Sequence, residues 1–249
     1  MQIVAVNKLD LSYPIIGAGN ASLKNSIIAK TTGVKISGTD KVPMVNALQD
    51  INFGLESGDR LGIIGHNGAG KSTLLKVLAG IYYPTSGKIQ INGKLVSTLN
   101  ISLGMEQEAT GRENIIIRGL LSGLTKKQIL AKLEDIAEFC DLGQYLDMPL
   151  RIYSTGMATR LAFGTVTALE ADVVLMDEVI GTGDAAFMAK AQARLDKFIA
   201  QAHVLVIASH SEETIRKFCN KALLLEHGKM KAIGAVDKVM DIYNGSVTA

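Results

Sequence analysis

The chain has 249 residues, 47% apolar and 20% charged, with a net charge of +2; this is globular composition, long enough for one large domain or a domain with a small subdomain, and it gives no broad electrostatic case for nucleic acid. The two cysteines, Cys140 and Cys219, stand isolated, which excludes a metal knuckle or a disulfide framework and leaves two reduced structural thiols. The start lacks a basic segment followed by an apolar core, and no run of about 18 apolar residues occurs, so neither a secretion signal nor a membrane-spanning helix is expected and any work at a membrane requires a partner.

In chain order, Ile3 to Leu9 reads as an opening strand leading to Tyr13. Asn7-Lys8-Leu9-Asp10 spells the guanine-reading N-K-x-D, but that motif belongs after a phosphate loop and here precedes one, so the match is chance. Residues 14 to 46 form a polar excursion with Pro14 and Pro43 and room for a short amphipathic helix near Ser22 to Lys30; it reads either as a surface loop, which costs little, or as a contact to a partner subunit. Ala47 to Phe53 is a strand, and Arg60 to Ile64 is a short buried strand. The next residues, Gly65, His66, Asn67, Gly68, Ala69, Gly70, Lys71, Ser72 and Thr73, fit G-x-x-x-x-G-K-[ST] at every fixed position, and Thr73 to Gly80 reads as a helix ended by glycine.

After a turn at Pro84 to Gly87, Lys88 to Leu95 alternates as a hairpin around Asn92-Gly93, and Leu95 to Leu103 is strand-like. From Thr110 the pattern turns helical: Thr110-Gly111-Arg112-Glu113 resembles a capping box, a second helix runs from about Thr125 to Cys140, and Leu161 to Ala168 continues as helix. The block from about 105 to 165 is therefore a candidate helical subdomain. Ala171 to Glu178 and His203 to His210 are apolar strands ending in acids and in histidine, and Leu223 to Met230 is hairpin-like. Helices recurring between apolar strands predict an α/β fold with a mostly parallel sheet covered on both faces.

These residue types have one shared chemistry. Glycines let backbone N–H groups turn inward around phosphates at a helix N-terminus. Lys71 is placed to reach the β/γ-phosphates, and the Ser72 hydroxyl to ligate Mg²⁺. Val173 to Met176 deliver Asp177 at a strand's carboxyl end, where ligands sit in such sheets, and Asp177 is expected to orient Mg²⁺ through water. Glu178 follows as general base for the attacking water. His210 ends the neighbouring strand at the same edge, within reach of a γ-phosphate; His203 and His227 receive no role, and His66 none beyond its place in the loop.

Taken in this order, an aromatic residue, the phosphate loop, Tyr153-Ser154-Thr155-Gly156-Met157, the acidic strand and the histidine strand resemble the ATP-binding cassette (ABC) family over nearly the whole chain. Ser154 and Gly156 match the common L-S-G-G-Q signature, whereas Tyr153, Thr155 and Met157 depart from it. Y-S-[ST]-G-M, Thr110 to Asn114, the Asp177 to Asp184 stretch and the excursion after Tyr13 resemble the ATPase subunits that export lipid-linked polysaccharides such as O-antigen and teichoic acid. The resemblance implies a P-loop NTPase fold with an antiparallel β subdomain and a helical subdomain, one such domain over 1–249 and no C-terminal carbohydrate-binding domain.

The resemblance also implies roles. Tyr13 would stack on adenine, Ser154 and Gly156 would touch the γ-phosphate of ATP held by the other protomer of a homodimer, and Asp184 would couple the two sites. The lid glutamine that senses Mg²⁺ has its place near Asn100, which either substitutes for it or is a strand-end Asn. ATP, Mg²⁺ and an integral membrane permease dimer would be cofactors and partners, with the subunit peripheral on the cytoplasmic face of the inner membrane and the polysaccharide contacted mainly by the permease. The alternatives are a cassette ATPase for another exported substrate, a soluble ATP switch, and a regulator without turnover.

Overall fold

The computed structural model describes residues 2–14, 36–37, 44–177 and 185–247. It divides into two compact units, one of Met1–Leu95, Val173–Val179 and His203–Ala249 and one of Val96–Asp172 and Ile180–Ala202. The helix anticipated near Ser22 to Lys30 lies outside the described residues.

The first unit is built on a sheet. Its strands are β1 (Gln2–Pro14), β2 (Ile36–Ser37), β3 (Met44–Glu56), β4 (Arg60–Ile64), β5 (Ser86–Ile91), β7 (Val173–Asp177), β8 (Val204–Ala208), β9 (Lys221–Glu226) and β10 (Lys229–Ala235), with β6 (Leu95–Ser97) beginning where the unit ends. The order runs β5-β1-β3-β10-β9-β4-β8-β7. Strands β7, β8, β4 and β9 are parallel, and their residues are almost all buried, as expected of continuous apolar runs covered on both faces. Helix α1 (Lys71–Leu78) buries Leu74, Leu75, Val77 and Leu78. Helix α6 (Glu212–Phe218) comes so near β4 that a Cβ on Gly62 would lie 2.8 Å from the Ile215 side chain. The unit ends in α7 (Val236–Val247).

Beyond β9 the pairing is antiparallel, except where β10 meets β3 in parallel. Strands β9 and β10 form the expected hairpin through His227 and Gly228, both at positive φ (48° and 75°), the geometry that matches a two-residue turn to strand twist. Strands β1 and β3 pair along 13 residues each. The expected hairpin of Lys88 to Leu95 does not form: β5 pairs antiparallel with β1, Val6 opposite Ile89, and Asn92 donates to the carbonyls of Ile3 and Gln2. The strand expected from Leu95 to Leu103 also stops at Ser97, and the chain turns from Leu99 to Gly104. The reason lies at its end, where Gly104 adopts φ 77° and the Leu103 carbonyl accepts from the Arg118 guanidinium instead of joining a ladder.

The second unit is helical: α2 (Gly111–Leu121), α3 (Lys126–Cys140), α4 (Thr155–Thr167) and α5 (Ala185–Gln201), with 3-10 turns at Gly143–Asp147 and Leu150–Ile152. Full capping boxes start α2 at Thr110 with Glu113 and α3 at Thr125 with Gln128, each satisfying two backbone donors. Helices α2 and α3 approach where Gly119 faces Ile129, and α3 and α4 where Gly164 faces Cys140 and Phe139. Phe139 packs on Phe163 and Phe187, centroids 5.9 and 5.4 Å away, and the Arg194 guanidinium covers the Phe139 ring at 4.5 Å.

Thr110 to Asn114 knits this unit together. Arg112 bridges Asp147 and Glu134 at 3.0 and 3.2 Å. Asn114 is fully buried; its amide donates to the carbonyls of Glu106, Ala109 and Thr110, and its oxygen accepts from the Glu106 N–H at 2.7 Å.

Two predictions follow from these contacts. Asn114→Ala strands one buried donor and several acceptors, so urea unfolding should show a loss of about 3 kcal/mol. Burial pushes the thiols of Cys140 and Cys219 to about 12, so both remain protonated at pH 8. Iodoacetamide should label neither in the native protein and both after denaturation, as read by mass spectrometry.

Candidate functional site

The site forms at the carboxyl edge of the parallel strands in the first unit, where chain ends converge and ligands bind in open α/β sheets. Strand β4 runs straight into the loop that begins at Gly65, and α1 leaves it at Lys71. Three glycines make the turn possible. Gly65, Gly68 and Gly70 have φ of 144°, 80° and 109°, values that side chains rarely permit. At Gly65 space forbids a substituent as well, because a Cβ would stand 2.2 Å from the Leu225 carbonyl oxygen.

Helix α1 starts at Gly70 with no side-chain cap, so the first-turn N–H groups have no acceptor from the cap residue and none within the helix. The helix dipole adds to their positive potential. The Lys71 ammonium is buried under the loop, donating to the carbonyls of Gly65 at 2.7 Å and His66 at 3.1 Å. Ser72, next along, is exposed. Amides, ammonium and hydroxyl together suit a polyphosphate with its counter-cation.

Register brings two further groups to this edge. Asp177 lies opposite Ala208, and Ala208 opposite Ile63, so the carboxylate-bearing residue shares a row with the residue two before the loop. Two strand spacings put the backbones about 10 Å apart. His210, two residues past β8, is exposed and lines a cavity of about 90 Å³ with Gly65, Ser209 and Tyr243. Tyr13 is 42% exposed, leaving its ring free to stack. Gly70 packs against Ala47 and Leu48 of β3, and Leu48 is paired with Leu11, two residues from Tyr13.

A support for the loop had no sequence signal beyond a His-Gly turn between two strands. The Gly228 N–H donates to the Ala69 carbonyl at 2.9 Å, and the Gly228 carbonyl accepts from the Gln49 N–H at 2.8 Å. The β9–β10 turn is thereby a rivet between the phosphate loop and β3. The His66 and His227 rings meet with centroids 4.8 Å apart. His66 Nδ1 lies 2.7 Å from the Asn67 carbonyl, which only accepts, so Nδ1 carries the proton. The Lys231 ammonium, 2.7 Å from Glu226, holds that carboxyl below its usual range, which keeps an anion beside the turn.

The helical unit carries the other candidates. Ser154 caps α4, its Oγ accepting from the Met157 N–H at 3.2 Å, and Ser154, Thr155 and Gly156 are all exposed. Ser154 and Gly156 border an open hollow of about 590 Å³ that also touches Tyr145 and Arg160. Asn100 is exposed in the turn after β6, not at a strand end, and its carbonyl accepts from the Leu103 N–H. The structure thus assembles Gly65 to Thr73, Asp177 and His210 on one unit, with Tyr13 nearby on the same sheet, and places Ser154, Gly156 and Asn100 on the other. Glu178 and Asp184 lie outside the described residues.

Comparison with known proteins agrees with this geometry. A family model described as ABC transporter matches residues 48–181. The chain is 43% identical over 229 residues to the O-antigen export system ATP-binding protein RfbE of Yersinia enterocolitica, covering 92% of this chain and 96% of that one. It is 37% identical to the O-antigen export system ATP-binding protein RfbB of Myxococcus xanthus over 82% of this chain, which spans 47% of that longer relative. Among solved structures, an ATP-binding subunit of an ABC transporter superposes with a TM-score of 0.70 at 21% identity, covering 97% of this chain and 93% of that one. With its phosphate loop, signature segment and acidic strand in this order, the chain belongs to the ABC transporter family.

Proposed function

We propose that this protein is the ATP-hydrolysing subunit that powers export of a lipid-linked, O-antigen-like polysaccharide through a membrane permease. The observation that carries the chemistry is the uncapped start of α1 beneath three left-handed glycines, with Lys71 buried under the loop and Asp177 in register beside it. The substrate class is supported by the O-antigen export protein that shares 43% identity over 92% of the chain and by the Thr110 to Asn114 and Tyr153 to Met157 segments. Among the described residues no helix is long and apolar enough to cross a membrane, which accords with a permease partner and a peripheral place on the membrane's cytoplasmic face.

In this reading the loop amides and Lys71 take charge from the phosphates as it develops. Mg²⁺, held by Ser72 and Asp177, with Asn100 as a further amide near the lid, would neutralise phosphate charge and fix the leaving group. Glu178 positions and deprotonates water, His210 contacts the γ-phosphate, and Tyr13 stacks on adenine. Ser154 and Gly156 present the exposed start of α4 to ATP held by a second copy, and Asp184 couples the two sites. Closure of the two copies on ATP and reopening after hydrolysis deliver work because the closed dimer binds ATP more tightly than the open one does. Residues 1–249 act as one nucleotide-binding domain, with the helical part as its second unit and 14–46 as an insertion.

Glu178→Gln should bind ATP with unchanged affinity and hydrolyse it roughly 10²-fold more slowly; full turnover would remove Glu178 as the base. Lys71→Ala should weaken nucleotide binding by calorimetry, and an unaltered affinity would count against the loop as the site. In cells lacking the gene, surface polysaccharide should disappear and return with the wild-type protein but not with Glu178→Gln.

A further inference from the structure

The signature segment is pinned from behind by a group that neither the nucleotide site nor the capping motifs account for. Tyr153 precedes Ser154, and its hydroxyl donates to the Tyr145 carbonyl at 2.5 Å. The same oxygen sits against Gly111, the first residue of α2. Burial raises the phenol above its ordinary range, so it stays protonated and able to donate. A Cβ on Gly111 would fall 2.3 Å from this oxygen, so the glycine is what makes room for it. The Tyr145 and Tyr153 rings meet edge to face at 6.5 Å, and the Tyr153 N–H is itself held by the Leu150 carbonyl. Side chain and backbone are therefore both fixed one residue before Ser154.

We propose that Tyr153 is a positioning residue for Ser154: its hydroxyl, seated against Gly111 at the start of α2, ties the start of α4 to the 143–147 turn, and so sets where Ser154 and the α4 amides are offered to nucleotide. This rests on the reading that Ser154 engages ATP across a dimer. Phenylalanine keeps the ring and its packing but leaves the Tyr145 carbonyl without its donor. Alanine at 111 keeps the tyrosine but evicts its hydroxyl. Neither change touches the phosphate loop, which binds ATP on the other unit.

The test uses the full chain in a Glu178→Gln background, where hydrolysis does not deplete ATP. ATP-driven dimerisation is followed by sedimentation velocity, monomer ATP affinity by calorimetry and folding by circular dichroism. Tyr153→Phe and Gly111→Ala should each raise the dimer dissociation constant by about tenfold, the worth of one good hydrogen bond, with monomer ATP affinity unchanged; Ser154→Ala should weaken dimerisation at least as much. If Ser154→Ala weakens dimerisation and Tyr153→Phe does not, the positioning role is overturned and the dimer reading stands. If Ser154→Ala dimerises normally, the dimer reading fails and this proposal fails with it. A purely structural tyrosine would lower the melting temperature while the folded fraction dimerised normally, which also overturns the proposal. Should Tyr153→Phe not fold, Gly111→Ala decides alone.

Discussion

A polyphosphate can be gripped by backbone amides only where those amides converge and nothing else claims them, and this requirement orders the structure. Four other helix starts are satisfied internally: Thr110, Thr125, Ser154 and Ser211 cap α2, α3, α4 and α6 with side-chain oxygens. Helix α1 alone among these begins at a bare glycine. A glycine start forgoes only about a few tenths of a kcal/mol against a side-chain cap, a small cost where an anion is to supply the acceptors. The buried Lys71 makes the same point: its ammonium rests on the carbonyls of Gly65 and His66, the loop groups that face away from an anion's needs.

Such a loop cannot hold its own shape, because glycine brings freedom along with permission. The restraint comes from neighbours. Gly65 is wedged against Leu225, Ala69 is bonded to Gly228, and Gly70 abuts β3. The β9–β10 hairpin is therefore part of the nucleotide site although it carries none of the site's chemistry. A two-residue turn with both residues at positive φ is a tight and well-defined support, better suited to bracing a loop than a longer connection would be.

What could be read from residues follows from how local each determinant is. The capping box at Thr110, the helix start near Thr125, the hairpin over Leu223 to Met230 and the buried strands β4, β7 and β8 depend on neighbours within a few positions, and each was legible. The family resemblance was carried by short motifs and extended the reading to the fold as a whole. Strand β5 was misplaced because its partner β1 lies more than 80 residues earlier, and an Asn-Gly pair marks a turn without naming what the strands beside it will join. The run after Leu95 was misjudged for a similar reason: alternation persists to Leu103, but the Arg118 contact that ends it comes from α2. Asn100, expected as either a lid residue or a strand-end residue, lost the second of these when the strand stopped short.

The helical unit shows why Tyr153 and Gly111 belong together. Tyr153 in place of the common leucine needs an acceptor and an empty slot; the Tyr145 carbonyl provides the first and Gly111 the second. Arg112 then holds the 143–147 turn through Asp147, and Asn114 holds the loop that leads into Thr110. Remove the glycine and the tyrosine hydroxyl has nowhere to sit without a clash; remove the tyrosine and the Tyr145 carbonyl loses its donor. Gly111 and Ser154 are 43 residues apart in sequence and belong to one packed assembly in space. The surface this assembly presents is the exposed start of α4, so residues whose motif reads as a capping signal also govern how the signature serine faces solvent.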